Sequence, residues 1–359
     1  MASSFDRLVL CPTVVGRDAE LAVLSHAVQQ VSFGHGQTLL IAGEAGVGKS
    51  RLIADARATT REHGWCVVEG HCFEPDQVLP YAPLLEFLRN LLAPMHPAEM
   101  RELLGESASD LAKVLPELRR WLPDLTPGPL LDPAQERRLI IQGFSTLITR
   151  LTTRQPVLVV IEDLHWSDDT SLDVLLQLTR RIRDVPVLLL LTFRDDEVSP
   201  ELGHFLASID RERLASEIKL SRLTRDEVGN MLAAIFADRR SVGPEFRDAL
   251  HTLTDGNPFF IEEVLKGLAS SDSESASMGD LSRLVLDELQ VPRSVQDAVQ
   301  RRVERLTPDA RDLLLLASVA GRRCDFTLLE TLTGHDEAAL LSLVKELIQA
   351  QLLIEEAPD

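Results

Sequence analysis

The chain has 359 residues, of which 45% are hydrophobic and 26% are charged, values that are ordinary for a globular protein. Its length predicts about two or three domains, and its formal net charge of -19 argues against a broad surface for binding nucleic acid. The 4 cysteines form neither a C-x-x-C pair nor a zinc-site spacing, so we expect free, mostly buried thiols in a reducing compartment.

The first 36 residues are predicted to form a loose leader followed by one amphipathic helix. The amino terminus lacks a basic region followed by an apolar run, and no stretch reaches the ~18 apolar residues of a membrane span. We therefore expect a cytoplasmic protein without membrane contact. Val15, Gly16 and Arg17 precede an acidic helix start. On their own they predict a turn before an amphipathic helix.

The segment from Gly43 to Ser50 reads GEAGVGKS and fits the phosphate-binding pattern G-x-x-x-x-G-K-[ST] at every required position. An apolar strand over 38–42 precedes it, and a helix is predicted over 50–61. The alternative is an ordinary glycine-rich turn, which the complete match between a strand and a helix disfavours. The chain is therefore predicted to bind ATP or ADP together with Mg²⁺.

The residues of this motif have distinct predicted roles. Gly43, Gly46 and Gly48 let the backbone curl, so that its N–H groups form a nest for the β-phosphate. Lys49 supplies a positive charge to the β- and γ-phosphates, and Ser50 offers a hydroxyl to Mg²⁺. The amino terminus of the following helix adds the positive end of its dipole.

A second strand is predicted over 66–70, followed by a proline-rich insertion over 73–134. Short helices within the insertion are predicted over 83–92 and 97–104, and we expect the insertion to cover one edge of the sheet. A longer amphipathic helix is predicted over 134–152.

Residues 156–161 form an apolar run that ends in the adjacent carboxylates Glu162 and Asp163. This pattern is typical of a central parallel strand whose carboxyl end opens on a ligand site. One acid would lie beside Mg²⁺, and the other would orient or deprotonate the attacking water. Because neighbouring side chains on a strand point to opposite sides, the two acids should not share one role. The sequence leaves open which acid takes which.

His165 and Trp166 follow these acids. We interpret them as packing residues where the strand turns into the next helix, with sensing of phosphate or adenine as the alternative. That helix is predicted over 169–182, with Ser167 as its N-cap. The two aspartates after Ser167 are favourably placed at the positive end of the helix, which indicates capping rather than catalysis.

A fourth strand is predicted over 186–194 and a short fifth strand over 217–220. Arg194 emerges at the carboxyl end of the fourth strand, where an arginine can contact the γ-phosphate and report its loss. The alternative for Arg194 is a surface ion pair with Asp195 or Asp196. Five short strands with intervening helices predict an α/β fold with a doubly wound parallel sheet.

The remainder of the chain is predicted to be helical. Its lid begins with a capping box at Thr224, its linker is rich in Ser and acidic residues, and a terminal strand is predicted over 351–355. The predicted domains are a leader with its helix (1–36), a P-loop α/β core (37–222), a helical lid (223–270), a linker (271–290) and a winged-helix-like region (291–359).

In this order, these stretches resemble the STAND class of signal-transduction ATPases within the AAA+ group. The chain is most similar to the Orc1-like AAA ATPase module of large LuxR-type (LAL) bacterial transcription regulators, and the likeness covers about residues 13–356. Its most specific elements are the motif from Gly43 to Ser50, the run IEDLHWSD over 161–168 and the sequence GNPFF over 256–260.

The resemblance implies a P-loop (ASCE/AAA+-like) sheet followed by a helical lid and a winged helix, and it implies a set of site residues. Lys49, Glu162, Asp163 and Arg194 match the catalytic groups, with Arg194 as the sensor arginine. Ser50, Glu162 and Asp163 match the Mg²⁺ contacts. The implied nucleotide contacts are Val15, Gly16, Arg17, Gly43, Glu44, Ala45, Gly46, Val47, Gly48, Lys49, Ser50, Arg51 and Pro258.

Two features depart from the family pattern. Glu162 stands where the family more often has Asp, which leaves the metal geometry and the rate of hydrolysis open. Such regulators also continue into helical sensor repeats and a DNA-binding helix-turn-helix domain, whereas this sequence stops within the expected wing. The chain is therefore expected to be either a fragment or a short form that lacks its sensor and output domains.

The resulting hypothesis is a nucleotide-dependent switch with slow ATP hydrolysis, in which ADP holds a resting form and ATP an open form that associates with further copies. Three alternatives remain: an ATPase motor or loader acting on nucleic acid or protein, a small-molecule kinase, and a DNA-binding winged-helix protein. Over 291–359 acidic residues at least match basic ones. This balance favours protein packing, so no direct nucleic-acid contact is expected from this portion.

Overall fold

The computed structural model describes residues 10–126, 128, 132–236, 243–270, 296, 299–300, 303–304, 306–320, 324, 326–350 and 352–353. The chain divides into two compact units, one formed by Thr13–Arg222 and the other by the remaining residues. The predicted linker over 271–290 lies outside the described residues. So does most of the strand predicted over 351–355, of which only residues 352 and 353 are described.

The first unit is built on a sheet of five parallel strands, as the sequence predicts. In chain order the strands are β1 (Gln37–Ala42), β2 (Cys66–His71), β3 (Val157–Glu162), β4 (Val187–Phe193) and β5 (Ser216–Lys219). Their order across the sheet is β2-β3-β4-β1-β5. The strand β4 therefore lies between β1, which leads into the phosphate-binding motif, and β3, which ends in the acids.

Helices cover both faces of this sheet, because consecutive residues of each strand point to opposite sides. Leu39, Ile41 and Leu190 belong to one core, with side chains of α1 (Asp18–Ser32) and α2 (Lys49–Glu62). Leu40, Val159 and Leu189 belong to the opposite core. The helices of that second core include α3 (Ala82–Leu92), α4 (Pro97–Leu104), α5 (Ala108–Val114), α6 (Leu118–Trp121), α7 (Pro133–Thr152), α8 (Asp169–Arg181) and α9 (Pro200–Arg211).

The helix α3 lies against β2, the strand at one edge of the sheet. Gly70 permits this close approach, because a Cβ atom there would lie 2.2 Å from the carbonyl oxygen of Pro83. The backbone N–H of His71 donates to Glu86 Oε2 at 2.7 Å. The helix α3, which lies within 73–134, therefore packs against the edge strand β2.

The N-cap predicted for α8 is wrong by one residue. Asp168, and not Ser167, precedes the first helical residue with extended backbone angles, and its carboxylate accepts hydrogen bonds from the N–H (2.9 Å) and the hydroxyl (2.5 Å) of Ser171. The Asp168 carboxylate also accepts the backbone N–H of Tyr81 at 3.2 Å. A carboxylate is an effective cap because it satisfies an otherwise unpaired N–H at the positive end of the helix.

The regular elements of the second unit, within its described residues, are helices. Its helices are Arg225–Phe236, Pro244–Thr254, Pro258–Ser270, Pro308–Ala320, Phe326–Thr333 and Glu337–Gln349. The predicted capping box is present, since the N–H of Thr224 donates to Glu227 Oε2 at 2.7 Å. Across the described ranges of both units, no helix is long and apolar enough to cross a bilayer.

Candidate nucleotide site

The phosphate-binding motif forms the turn between β1 and α2. Gly43, Gly46 and Gly48 have φ angles of 150°, 78° and 109°, conformations that side chains with a Cβ rarely adopt. Gly43 is also in close contact with the segment after β5, because a Cβ there would lie 2.9 Å from the carbonyl oxygen of Leu220. The glycine spacing read in the sequence therefore corresponds to a real backbone requirement.

The Lys49 ammonium lies inside this turn. Its Nζ donates to the carbonyl oxygens of Gly43 at 2.7 Å and Glu44 at 2.9 Å, and the residue is buried. Burial lowers the pKa of Lys49 and the nearby Arg194 lowers it further, whereas Asp163 is among the carboxylates that oppose this shift. Lys49, Asp163 and Arg194 therefore lie close enough to influence one another electrostatically.

Ser50 and Glu162 are in direct contact, although 112 residues separate them in the sequence. The Ser50 hydroxyl donates to Glu162 Oε2 at 2.7 Å. Glu162 is the last residue of β3 and is buried. The Ser50 hydroxyl and the Glu162 carboxylate therefore bring two oxygen atoms that could bind a metal ion together next to the motif.

Asp163 is not part of β3, which corrects the expectation that both acids lie on the strand. Its φ of 64° is left-handed, and a short 3₁₀ turn, Leu164–Trp166, follows it. Its backbone N–H donates to Thr192 Oγ1 on the neighbouring strand β4 at 2.9 Å. This turn, rather than the alternation of a strand, separates the two acids. Burial raises the pKa of the Asp163 carboxyl against the lowering effects of Arg194 and Lys49.

Arg194 follows directly after β4, at the carboxyl edge of the sheet. Its Nη1 lies 2.7 Å from Glu197 Oε1, and its guanidinium lies 5.0 Å from the centre of the Trp166 ring. The partner of Arg194 in the structure is thus Glu197, and not Asp195 or Asp196 as the alternative had it. Asp195 pairs with Lys219 at 3.1 Å. Trp166 and the buried His165 also pack on each other, with ring centres 4.4 Å apart.

Residues 13–191 match the family model of the AAA ATPase domain. The chain carries an AAA ATPase domain. An uncharacterized protein of Rhizobium meliloti (strain 1021) is 26% identical in a 340-residue alignment that covers 89% of this chain and 31% of that protein. The present chain thus spans less than a third of the length of this relative.

Two solved structures support the same fold. A Walker-type ATPase of Pyrococcus abyssi matches with a TM-score of 0.60 at 17% identity, over 96% of this chain and 91% of that one. The ORC2 protein of Aeropyrum pernix, solved in ADPNP and ADP complexes, matches with a TM-score of 0.57 at 14% identity, over 96% and 89%. Together with the sheet order, these matches establish a P-loop AAA+ fold.

The segment before α1 is attached to the phosphate loop of the AAA ATPase domain through Arg17. Arg17 is buried, and its Nη2 donates to the carbonyl oxygen of Val47 at 3.2 Å and to that of Ser221. Val15 and Gly16 precede Arg17, so this segment adjoins the loop. Contact of these residues with adenine stays a prediction.

The other predicted nucleotide contacts occupy different places. Ala45 lies within the loop, and Arg51 lies in the first turn of α2, where its N–H donates to the Gly48 carbonyl at 3.1 Å. Pro258 is the first residue of a helix in the second unit. Its proposed contact with adenine stays a prediction.

Sequence reasoning missed His71, which lies beside Glu162 in the sheet. His71 is the register partner of Glu162 on β2, with its Nε2 3.9 Å from Glu162 Oε1 and its Nδ1 3.2 Å from Glu86 Oε1. Its position at the end of a strand was the only signal in the sequence, and without the strand order that signal does not identify Glu162 as its neighbour.

Sequence reasoning also missed Arg222, which is bound to the phosphate loop. Its Nε and Nη2 lie 2.9 Å and 2.7 Å from Glu44 Oε2. The two residues are 178 positions apart, and no motif connects them.

The residues present fit a magnesium ion that is shared with a nucleotide. The hydroxyl of Ser50 and the carboxylates of Glu162 and Asp163 are hard oxygen donors of the kind that Mg²⁺ prefers. In the part of the chain that the structure describes, no three His, Cys, Asp or Glu side chains form a metal cluster. Three protein donors would leave coordination positions for phosphate oxygens and water, as is usual for Mg²⁺.

Proposed function

We propose that this chain is a nucleotide-dependent switch of the STAND type that binds ATP or ADP with Mg²⁺ and hydrolyses ATP slowly. The observation that carries the proposal is the contact of Ser50 with Glu162 at 2.7 Å beneath a phosphate loop whose Lys49 is buried. Binding in one state more tightly than in another is what lets a nucleotide drive such a switch. In the proposed cycle ADP holds a resting form and ATP an open form that self-associates.

The proposed reaction is the attack of water on the γ-phosphorus of ATP, in which the bond to the β–γ bridging oxygen breaks and ADP leaves. Lys49 neutralises phosphate charge. Ser50 and Glu162 would hold Mg²⁺, which would neutralise negative charge on the phosphate oxygens. Asp163 orients the water and accepts its proton, and Arg194 contacts the γ-phosphate.

We propose slow turnover because two of the catalytic groups, Arg194 and Asp163, are not positioned for the reaction in this conformation. Arg194 is engaged by Glu197 and Trp166, so it must leave these partners to reach a phosphate. Asp163 has a shorter side chain than glutamate and follows the strand in a turn. Because of both features, a conformational change must occur before these groups can stabilise the transition state fully.

The wider role is proposed from the length of the relative and from the sequence. Because the chain matches 31% of a longer protein, we propose that it is the ATPase module of a cytoplasmic LuxR-type transcriptional regulator. Sensor and output domains would lie outside this module. With a net charge of -19, the module itself is not expected to contact nucleic acid.

The test is nucleotide content, affinity and turnover of the purified chain beside three variants. The wild type is expected to release ADP on denaturation and to turn over well below ~1 s⁻¹, the low end of typical enzymes. Lys49→Ala should abolish binding of ATP and ADP. Glu162→Gln should remove the Mg²⁺ dependence of affinity, because its carboxylate adjoins Ser50. Asp163→Asn should bind ATP normally and lose turnover.

A surface variant serves as the control for this experiment. Arg180→Gln breaks an exposed ion pair with Glu212 and should leave all three measurements unchanged. Fast turnover without retained nucleotide would favour the motor. Absence of nucleotide binding by the wild type would contradict the proposal itself.

A further inference from the structure

Three consecutive residues, Leu220–Arg222, contact the phosphate loop or a residue bound to it. We term these three residues the connector. It follows β5 and leads directly to Leu223, where the second unit begins. The backbone N–H of Leu220 donates to the carbonyl of Ala42 at 2.9 Å. The connector therefore runs beside the exit of β1, at the point where the phosphate loop begins.

Each residue of the connector contacts either the phosphate loop or Arg17, which is itself bound to the loop. The Leu220 carbonyl lies so close to Gly43 that a Cβ there would be only 2.9 Å away. The Ser221 carbonyl accepts from Arg17, which also binds the carbonyl of Val47. Arg222 binds the carboxylate of Glu44 through two of its nitrogens. Of these contacts, only the last joins two charged side chains.

Glu44 connects this ion pair to the binding machinery. Its backbone carbonyl accepts the Lys49 ammonium at 2.9 Å and the N–H of Val47 at 3.4 Å. Fixing the Glu44 side chain therefore restricts the carbonyl against which Lys49 rests. A loop that is held in one conformation before binding loses less conformational entropy when phosphate binds.

We propose that Arg222 is a positioning residue of the nucleotide site, which presets the phosphate loop by holding the side chain of Glu44. This proposal rests on the proposed binding of ATP or ADP. Arg222 acts through Glu44 and the loop backbone, and not through a contact with the nucleotide.

The direction in which Glu44→Gln changes nucleotide affinity distinguishes a positioning role from a purely electrostatic one. If only charge near the phosphates mattered, Arg222→Gln would weaken nucleotide binding and Glu44→Gln would strengthen it, because a repelling carboxylate is removed. If the ion pair positions the loop, both substitutions remove the same restraint. Both should then weaken binding.

The experiment measures the Kd of a fluorescent ADP analogue with Mg²⁺ for the full chain and its variants. Glu44→Gln and Arg222→Gln should each raise the Kd up to about 5-fold, the range of a partly exposed ion pair. The double variant should have the same Kd as either single variant, because all three variants lose the same ion pair. Arg222→Lys should retain part of the affinity, since a lysine can still bind the carboxylate.

The matched control is Arg180→Gln, which breaks an ion pair with Glu212 of similar exposure in the same unit. It should leave the Kd unchanged, and the Tm of each nucleotide-free variant shows whether folding is affected. Opposite signs for Glu44→Gln and Arg222→Gln, additive losses, or a Kd equal to that of the wild type would overturn the positioning role. Absence of binding by the wild type would instead refute the proposed function on which it rests.

Discussion

At the scale of single residues, the two adjacent acids of the site differ in what holds them. Glu162 ends a buried strand and accepts the Ser50 hydroxyl. Asp163 lies in a left-handed turn, tied through its backbone to Thr192. The sequence places both in the site but leaves their roles open. The contact with Ser50 is the reason that we propose Glu162 as the acid on the metal side.

The raised pKa of Asp163 predicts a cost to stability that depends on pH. Burial raises the pKa of the Asp163 carboxyl in the folded chain above that of a solvent-exposed aspartate, so the folded state binds the proton more tightly than the unfolded state. The cost is absent below the unfolded pKa, grows as pH rises through the folded pKa and is complete above it. Asp163→Asn should therefore raise the Tm at pH 7.

Thermal unfolding of Asp163→Asn and the wild type over a range of pH checks this expectation. The gain in Tm should shrink as pH falls through the folded pKa, because the wild-type carboxyl then becomes neutral as well. Asp168→Asn, at the cap of α8, is a useful comparison because that carboxylate accepts several hydrogen bonds and its loss should lower the Tm. A lower Tm for Asp163→Asn at pH 7 would contradict the assignment.

At the scale of secondary-structure elements, the packing of α3 on the edge strand β2 determines what surrounds Glu162. His71 ends β2, pairs with Glu86 of α3 and approaches Glu162. This arrangement depends on Gly70, since any side chain there would meet the Pro83 carbonyl. The helix therefore both protects a sheet edge and places a carboxylate–histidine pair beside the site.

Gly70→Ala is expected to destabilise the first unit by about 1–3 kcal/mol, the usual cost of overpacking. The reason is that the new Cβ atom would lie 2.2 Å from a backbone oxygen, which can move only with α3. Gly203→Ala in α9 is the matched control. Its Cβ would meet only a methyl group at 3.8 Å, so it should stabilise the helix by about 0.5–1 kcal/mol.

Urea unfolding followed by circular dichroism distinguishes these two substitutions. Effects of opposite sign are expected. If Gly70→Ala were neutral or stabilising, the close approach of α3 to β2 would be excluded.

At the scale of the whole molecule, charge opposes the proposed self-association. Each copy carries a formal net charge of -19, so two copies repel unless salt screens them; at 0.1 M salt the screening length is about 10 Å. Association in the ATP form must overcome this repulsion through local contacts. Salt should therefore promote assembly, whereas it would weaken an assembly held together by opposite charges.

Light scattering coupled to size-exclusion chromatography tests this prediction. With a non-hydrolysable ATP analogue and Mg²⁺, the mass should exceed that of the monomer and rise between low and moderate salt. With ADP the chain should remain monomeric, and Lys49→Ala should remain monomeric with either nucleotide. A monomer under all conditions would refute nucleotide-dependent self-association of this chain.

Much of the first unit could be predicted because its signals are local. The glycine spacing before Lys49, the apolar runs of β1, β3 and β4, and the polar residues that follow these runs are patterns within a few residues. The cap of α8 was missed by one position, since Ser167 and Asp168 are both acceptable caps. Only the hydrogen bonds of Ser171 distinguish between them.

By itself the sequence determined the phosphate loop, the α/β class and the presence of two acids and an arginine at strand ends. The tertiary structure alone decided that β4 lies between β1 and β3, which brings Thr192 and Arg194 between the loop and the acids. Any two apolar strands of a parallel sheet could pair equally well, so the sequence of a single strand does not specify its neighbours. The pair of Glu44 and Arg222 was likewise decided by folding, because a contact across 178 residues leaves no local pattern.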